Sequence, residues 1–225
     1  MGKLDTIERR TSADVVFDAL YTQIVTLQLL PGTKISEAEI AAQFGCSRQP
    51  VRDAFSRLGN LDFLLIRPQK ATEIKKFSIS GIQSARFIRA AIEVEVLTRA
   101  VRVWDASKAA AFEQNLAAQD DAVRENNVDA FHRQDYDFHR QLCDAAGVAF
   151  AFDAILENKA KIDRLCVLSM MDRDAMAVLV EDHRRIYQAL CSGDLSSAEK
   201  AMRDHLARLD VTIAQVRRSH PSYFI

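Results

Sequence analysis

The chain has 225 residues, 48% of them hydrophobic, which suits one large or two modest packed domains and excludes a low-complexity or disordered protein. Its formal net charge is -1, so the molecule as a whole has no basic footprint for a polyanion; residues 1–76 hold 11 Lys+Arg against 9 Asp+Glu and the remainder 19 against 22, a slight asymmetry only. Four widely spaced cysteines (Cys46, Cys143, Cys166, Cys191), no C-x-x-C pair and no secretory apolar stretch suggest a reduced cytoplasmic setting, and no apolar run approaches the roughly 18 residues of a membrane span.

Residues 1–10 read as a disordered polar start, followed by one domain over 11–76 and a helical domain over 77–225. Val16, Leu20, Ile24 and Leu27 recur at helical spacing from a Thr11/Ser12 cap to Leu29, ahead of Pro31-Gly32. Ser36 and Glu39 form a capping-box pattern that opens a second helix, which buries Ile40, Ala41 and Phe44 and closes at Gly45. Ser47 is placed to cap a third helix with Pro50 in its first turn. At about 100° per residue, Val51, Ala54, Phe55 and Leu58 share an apolar arc, while Gln49, Arg52 and Ser56 cluster opposite with Arg48 at the border. Phe63 to Arg67 and Thr72 to Lys75 flank Pro68-Gln69-Lys70-Ala71 as a short hairpin, which makes a winged helix-turn-helix with a two-stranded wing.

After a polar joint from Lys75 to Ser80 the pattern is helical: Ser80 to Val103, Ser107 to Glu125, Val128 to Ala145, Ala149 to Met171, Asp174 to Ser192 and Leu195 to Arg218. The fold class is therefore mainly α, a winged helix-turn-helix followed by an antiparallel helical bundle. Polar residues interrupt three apolar stripes of this bundle: Asp135 and His139 lie among Phe131, Phe138 and Leu142, His183 lies among Leu179, Ile186 and Leu190, and His205 lies among Ala198, Met202 and Leu209. Burying four such groups without partners costs several kcal/mol each. A shared divalent transition metal satisfies all four, with zinc, nickel, manganese and iron each compatible with three imidazoles and a carboxylate; separately satisfied core residues are the plainer alternative. His132 falls off its stripe and His220 lies in the tail, so both are expected to be exposed.

The run L-x-P-G-x-x-I-S-E-x-x-I-A-x-x-F-G-C-S-R-x-P-V-R-D-A, Leu29 to Ala54, resembles the GntR family of bacterial transcription regulators, and the helical domain resembles its FadR-like, or FCD, subgroup. The resemblance implies a homodimer on a palindromic DNA operator, a repressor controlled by a small carboxylate metabolite, with no catalytic residues. It implies DNA contacts at Arg48 and Arg52, and more weakly at Gln49, Ser47 and Lys70; metal ligands at Asp135, His139, His183 and His205, since D-x-x-x-H followed by two histidines is the subgroup's pattern; and effector contacts at Arg89 in R-x-x-I-E, with Arg164 a second candidate. A surface salt bridge is the bland alternative for both arginines. Asp62 and Ala71 stand where the family has glycines around the wing, and Ala38 where a basic residue is common, so fewer phosphate or base contacts are expected. A metal-dependent enzyme using the same His₃-Asp set, and a purely structural metal, are the competing readings.

Overall fold

A computed structural model describes residues 10–169 and 173–225. The expected disorder of residues 1–9 and the end of the helix assigned through Met171 lie outside the described residues. The chain divides into two compact units between Phe77 and Ser78.

The first unit opens with α1 (Ser12–Val25), whose Thr11 and Asp14 close a reciprocal capping box. Val16, Leu20 and Ile24 form its buried face. The helix stops short of Leu29 because the backbone turns left-handed at Leu27, with φ 61. Two residues, Lys34–Ile35, form β1, then Ser36 and Glu39 cap α2 (Glu37–Phe44) reciprocally. Ile40 and Ala41 are buried while Phe44 is only half-buried, and Gly45 closes the helix at φ 61. Ser47 occupies the cap position of α3 (Arg48–Asn60), but its side chain makes no capping hydrogen bond, contrary to expectation. Val51, Ala54, Phe55 and Leu58 are buried, so the predicted arc is the packed face.

The sheet has a strand more than the sequence suggested. β2 (Leu64–Leu65) and β3 (Thr72–Ile74) pair as the wing, and β1 pairs with the other edge of β3, in the order β1-β3-β2. Two residues are too few to display an alternating pattern. Backbone bonds set the register instead: Gly32 N donates to Ile74 O and Ile74 N to Thr33 O, both at 2.8 Å.

The second unit is a helical bundle: α4 (Ile79–Arg102), α5 (Ala109–Arg124), α6 (Val128–Ala145), α7 (Ala151–Ser169), α8 (Arg173–Ser192), α9 (Leu195–Ala207) and α10 (Leu209–Ser219). The expected single helix from Leu195 to Arg218 is broken at Arg208, whose N–H reaches His205 O at 3.2 Å, three residues back instead of four. Arg208 turns its guanidinium onto the buried carboxylate of Asp182, an attachment that periodicity does not reveal.

Among the described residues, two apolar clusters pack within the bundle. The larger includes Leu97, Phe112, Phe138, Leu142, Ile186 and Met202. The smaller contains Ala122, Phe131, Met176 and Val180. Along α6 the residues between Phe131 and Phe138 include Asp135, along α8 His183 lies between Val180 and Ile186, and along α5 Gln119 lies between Leu116 and Ala122. A polar layer is thus held between two hydrophobic clusters. Burying each large side chain of these clusters stabilises by about 1.5–3 kcal/mol, so the layer sits in a rigid frame.

Candidate functional site

Three helices supply the inward polar set. Asp135 and His139 stand one turn apart on α6, His183 is mid-way along α8, and His205 lies in the last turn of α9. One ligand atom from each can be chosen so that all lie within 4.8 Å of one another. The imidazole centroids of His183 and His205 are 4.7 Å apart, and His139 lies 5.5 and 5.4 Å from them. All four residues are buried.

A polar group stands behind each imidazole, in contact with two of them and farther from the third. His139 Nδ1 faces Glu93 Oε2 at 2.6 Å, His183 Nδ1 meets Gln119 Oε1 at 2.8 Å, and His205 Nδ1 lies 3.7 Å from Asp182 Oδ2. Gln119 is held in turn by Asn115, and the Asn115 amide donates to Gln134 O at 2.9 Å. His183 Nδ1 is thus hydrogen-bonded, His139 Nδ1 is in close ion-pair contact with Glu93, and His205 Nδ1 is buried without a hydrogen-bond partner. Nε2 of His139 and of His183 are both buried without a hydrogen-bond partner, and the nearest carboxylate oxygen, Asp135 Oδ1, is 3.9 and 3.4 Å away. Orphaned, inward-facing nitrogens beside a carboxylate are the donor set a divalent transition metal requires, and the backing groups are the outer partners such ligands carry. The residues present therefore fit a metal.

The charges agree with that fit. Burial, and to a lesser extent neighbouring His205, pushes His183 well below the usual imidazole range, and burial also lowers His205. Neutral imidazoles are the form that binds metal. Burial alone raises the Asp135 carboxyl, but the Lys159 ammonium beside it outweighs this and holds the group well below the ordinary carboxylate value. Lys159 Nζ sits 2.6 Å from Asp135 Oδ2 and 3.1 Å from Asp163 Oδ1, and Tyr136 OH donates to Asp163. Burial, with Asp135 nearby, pushes Asp163 upward.

The set opens into a cavity of about 290 Å³ whose polar floor is Arg89, Asp135, His139, Lys159 and His205 and whose walls include Leu179, Leu209 and Val211. Arg89 is buried, its Nε donating to Glu93 Oε1 at 2.7 Å, so the surface salt-bridge alternative does not hold for it. Arg164 is buried too, with its guanidinium pushed down to about 10 by burial, but it is not a lining residue of this cavity. A second cavity of about 310 Å³, bordered by Gln83, Arg86, Phe87 and Arg203, also touches Arg89 but lacks any of the metal-type ligands. His132 and His220 are half-buried, not exposed: His132 Nε2 is enclosed and His220 stacks on Tyr223. The sequence reading overlooked Gln119, Lys159 and Asp182, although Asn115-x-x-x-Gln119 and Lys159-x-x-x-Asp163 carry the same signal of polar residues on a buried stripe.

In the first unit Ser47, Arg48, Gln49, Arg52 and Lys70 are all exposed. Arg52 pairs with Glu37 of α2 at 3.1 Å and Gln49 donates to Asp53 at 2.9 Å. Asp62 adopts φ 68 at the turn into the wing, as its tolerance of left-handed backbone allows, and Gln69 rather than Ala71 takes the left-handed position at the wing tip.

The model of the bacterial regulatory proteins of the gntR family matches residues 12–74, and that of the FCD domain matches residues 85–208. The chain belongs to the GntR family. Its second unit is an FCD domain. The HTH-type transcriptional repressor RspR of Escherichia coli K12 is 34% identical over 209 residues, covering 93% of this chain and 92% of that one. A Paenarthrobacter nicotinovorans protein named "Probable D-xylose utilization operon transcriptional repressor" is 30% identical over 89% of this chain and 88% of its own. Among solved structures, E. coli McbR/YncC shares the fold with a TM-score of 0.76 at 16% identity, over 92% of this chain and 99% of that one. GntR-family members are DNA-binding transcription regulators, not enzymes, so the metalloenzyme reading is set aside. Among the described residues no helix is long and apolar enough to cross a membrane.

Proposed function

We propose that this GntR-family regulator is a cytoplasmic homodimeric repressor that binds a palindromic operator and responds to a small carboxylate in its FCD domain. The observation carrying the effector half is that His139, His205 and Asp135, clustered with the buried His183, line a cavity whose floor also holds the buried guanidinium of Arg89. Asp135, His139, His183 and His205 would hold a divalent ion, zinc, nickel, manganese or iron by their N₃O chemistry. When bound, the ion would supply a positive centre that attracts an oxygen ligand. Arg89 orients a carboxylate beside it, and the apolar walls exclude water from the rest of the acid.

On the DNA side, Arg48 and Arg52 read base edges in the major groove, Gln49 and Ser47 add polar contacts, and Lys70 follows the phosphate at the wing. Two copies place two such helices on half-sites about one helical turn apart. The acid alters repression by binding one arrangement of the dimer more tightly than the other, since a ligand shifts an equilibrium only by its differential affinity.

The decisive experiment titrates operator DNA with zinc-loaded protein, with and without acetate or succinate, in a mobility-shift assay, alongside His183→Ala. Operator binding that responds to the acid in the wild type but not in the variant supports the reading. An unchanged acid response in a metal-free variant removes the metal from sensing. The layer's place between two apolar clusters favours a second reading, a purely structural ion; it predicts lower stability without metal and equal acid affinity after refolding.

A further inference from the structure

Glu93 touches the two groups on which the proposed sensing rests. One carboxylate oxygen, Oε1, accepts from Nε of Arg89 at 2.7 Å, and the other, Oε2, faces Nδ1 of His139 at 2.6 Å. Arg89 and His139 both line the cavity, whereas Glu93, 2% exposed, lies behind them and does not. A ligand in the cavity can therefore reach Arg89 and the far nitrogen of His139, but Glu93 feels the ligand only through them.

A single carboxylate shared by a cation and an imidazole N–H divides its charge between the two. We propose that Glu93 is a positioning residue that couples acid binding at Arg89 to metal affinity at His139; this rests on the metal-and-acid reading given above. An anion arriving at Arg89 draws off part of the guanidinium's field. Glu93 then pulls harder on the His139 N–H, and Nε2 becomes a better donor to the metal. In the reverse direction, a metal on Nε2 polarises the His139 N–H toward Glu93, which leaves Arg89 less neutralised and more attractive to a carboxylate. Both directions have the same sign and the same size, as linkage requires. The i, i+4 spacing of Arg89 and Glu93 on α4 keeps the pair in register, and burial of all three groups preserves an interaction that water would screen.

The test measures zinc affinity by competition with a fluorescent chelator, with and without saturating acetate, for the wild type, Glu93→Gln and Arg89→Gln, with circular dichroism as a check on folding. In the wild type acetate tightens zinc by at least about fivefold. Glu93→Gln weakens zinc by about 10–100-fold and reduces the acetate response toward none. Arg89→Gln moves zinc affinity in the opposite direction, tightening it, because Glu93 is then shared with His139 alone. A role in packing alone weakens zinc in both variants and leaves the acetate ratio of Glu93→Gln at the wild-type value. That outcome overturns the proposal, as does a zinc-binding wild type indifferent to acetate. If Glu93→Gln does not fold, the sign of the Arg89→Gln change decides. A wild type that binds no zinc overturns the underlying metal reading instead, so the two failures are distinguishable.

Discussion

Arg52 reaches from α3 back to Glu37 at the start of α2, with Nη2 3.1 Å from Oε2 and Nε 3.3 Å from Oε1. The first motif helix thereby presets the direction of the arginine on the second. An exposed pair of this kind adds only about 0–1 kcal/mol to stability, so it constrains the direction of the guanidinium more than it stabilises the fold. Arg52→Ala is expected to leave the melting temperature nearly unchanged and to cost about 1–3 kcal/mol of operator preference per half-site. A mobility-shift titration against operator and scrambled DNA measures it, and equal preference in the variant removes Arg52 from base reading.

Gln119 holds Nδ1 of His183 at 2.8 Å, and it is itself fully buried. Gln119→Leu preserves much of the volume while releasing the imidazole, and should weaken zinc by about 10–100-fold. Elemental analysis after dialysis against graded chelator reads this directly. Zinc retention equal to the wild type assigns Gln119 to packing alone.

Removing metal should lower thermal stability, because an ion bound only by the folded state stabilises by mass action, about 2.7 kcal/mol at 100 times the dissociation constant. Orphaned Nε2 atoms between two apolar clusters are the physical reason. Differential scanning calorimetry with chelator, and then with zinc restored, should show a reversible shift of the second unit's transition. A trace insensitive to both additions contradicts the metal assignment.

Asp14 is held down to about 2 by the Thr11 hydroxyl and backbone N–H and by Arg57, whose Nη1 is 2.8 Å away. The ordinary carboxyl value in an unfolded chain is about 3.9. A carboxyl lowered on folding contributes stability above the unfolded value and loses it as pH falls toward the folded one. Thermal midpoints of Asp14→Asn should lie below the wild type at neutral pH, with the gap closing between about pH 4 and pH 2. A gap independent of pH assigns the capping contribution to geometry, not charge.

The sequence was most informative where structure is local. Capping residues and 3.6-residue periodicity set the starts of most described helices to within two residues, because both act over single turns. The same periodicity singled out Asp135, His139, His183 and His205, since a titratable side chain on an apolar stripe has to be answered by something. It could not find β1, which exists only because β3 arrives beside it, or the break at Arg208, which accompanies an attachment to Asp182 on another helix. Nor could it separate Arg89 from Arg164, equally plausible in one dimension, of which only the first lines the cavity.

By itself, then, the sequence determined the family, the two-part helical architecture and which side chains point inward, because these follow from nearest-neighbour chemistry along one element. Tertiary structure alone decided what meets those side chains: Glu93, Gln119 and Asp182 behind the imidazoles, and Lys159 behind Asp135. Each of those contacts joins residues on different helices. Their distances depend on how helices pack around two hydrophobic clusters, a property that no single stretch of chain contains.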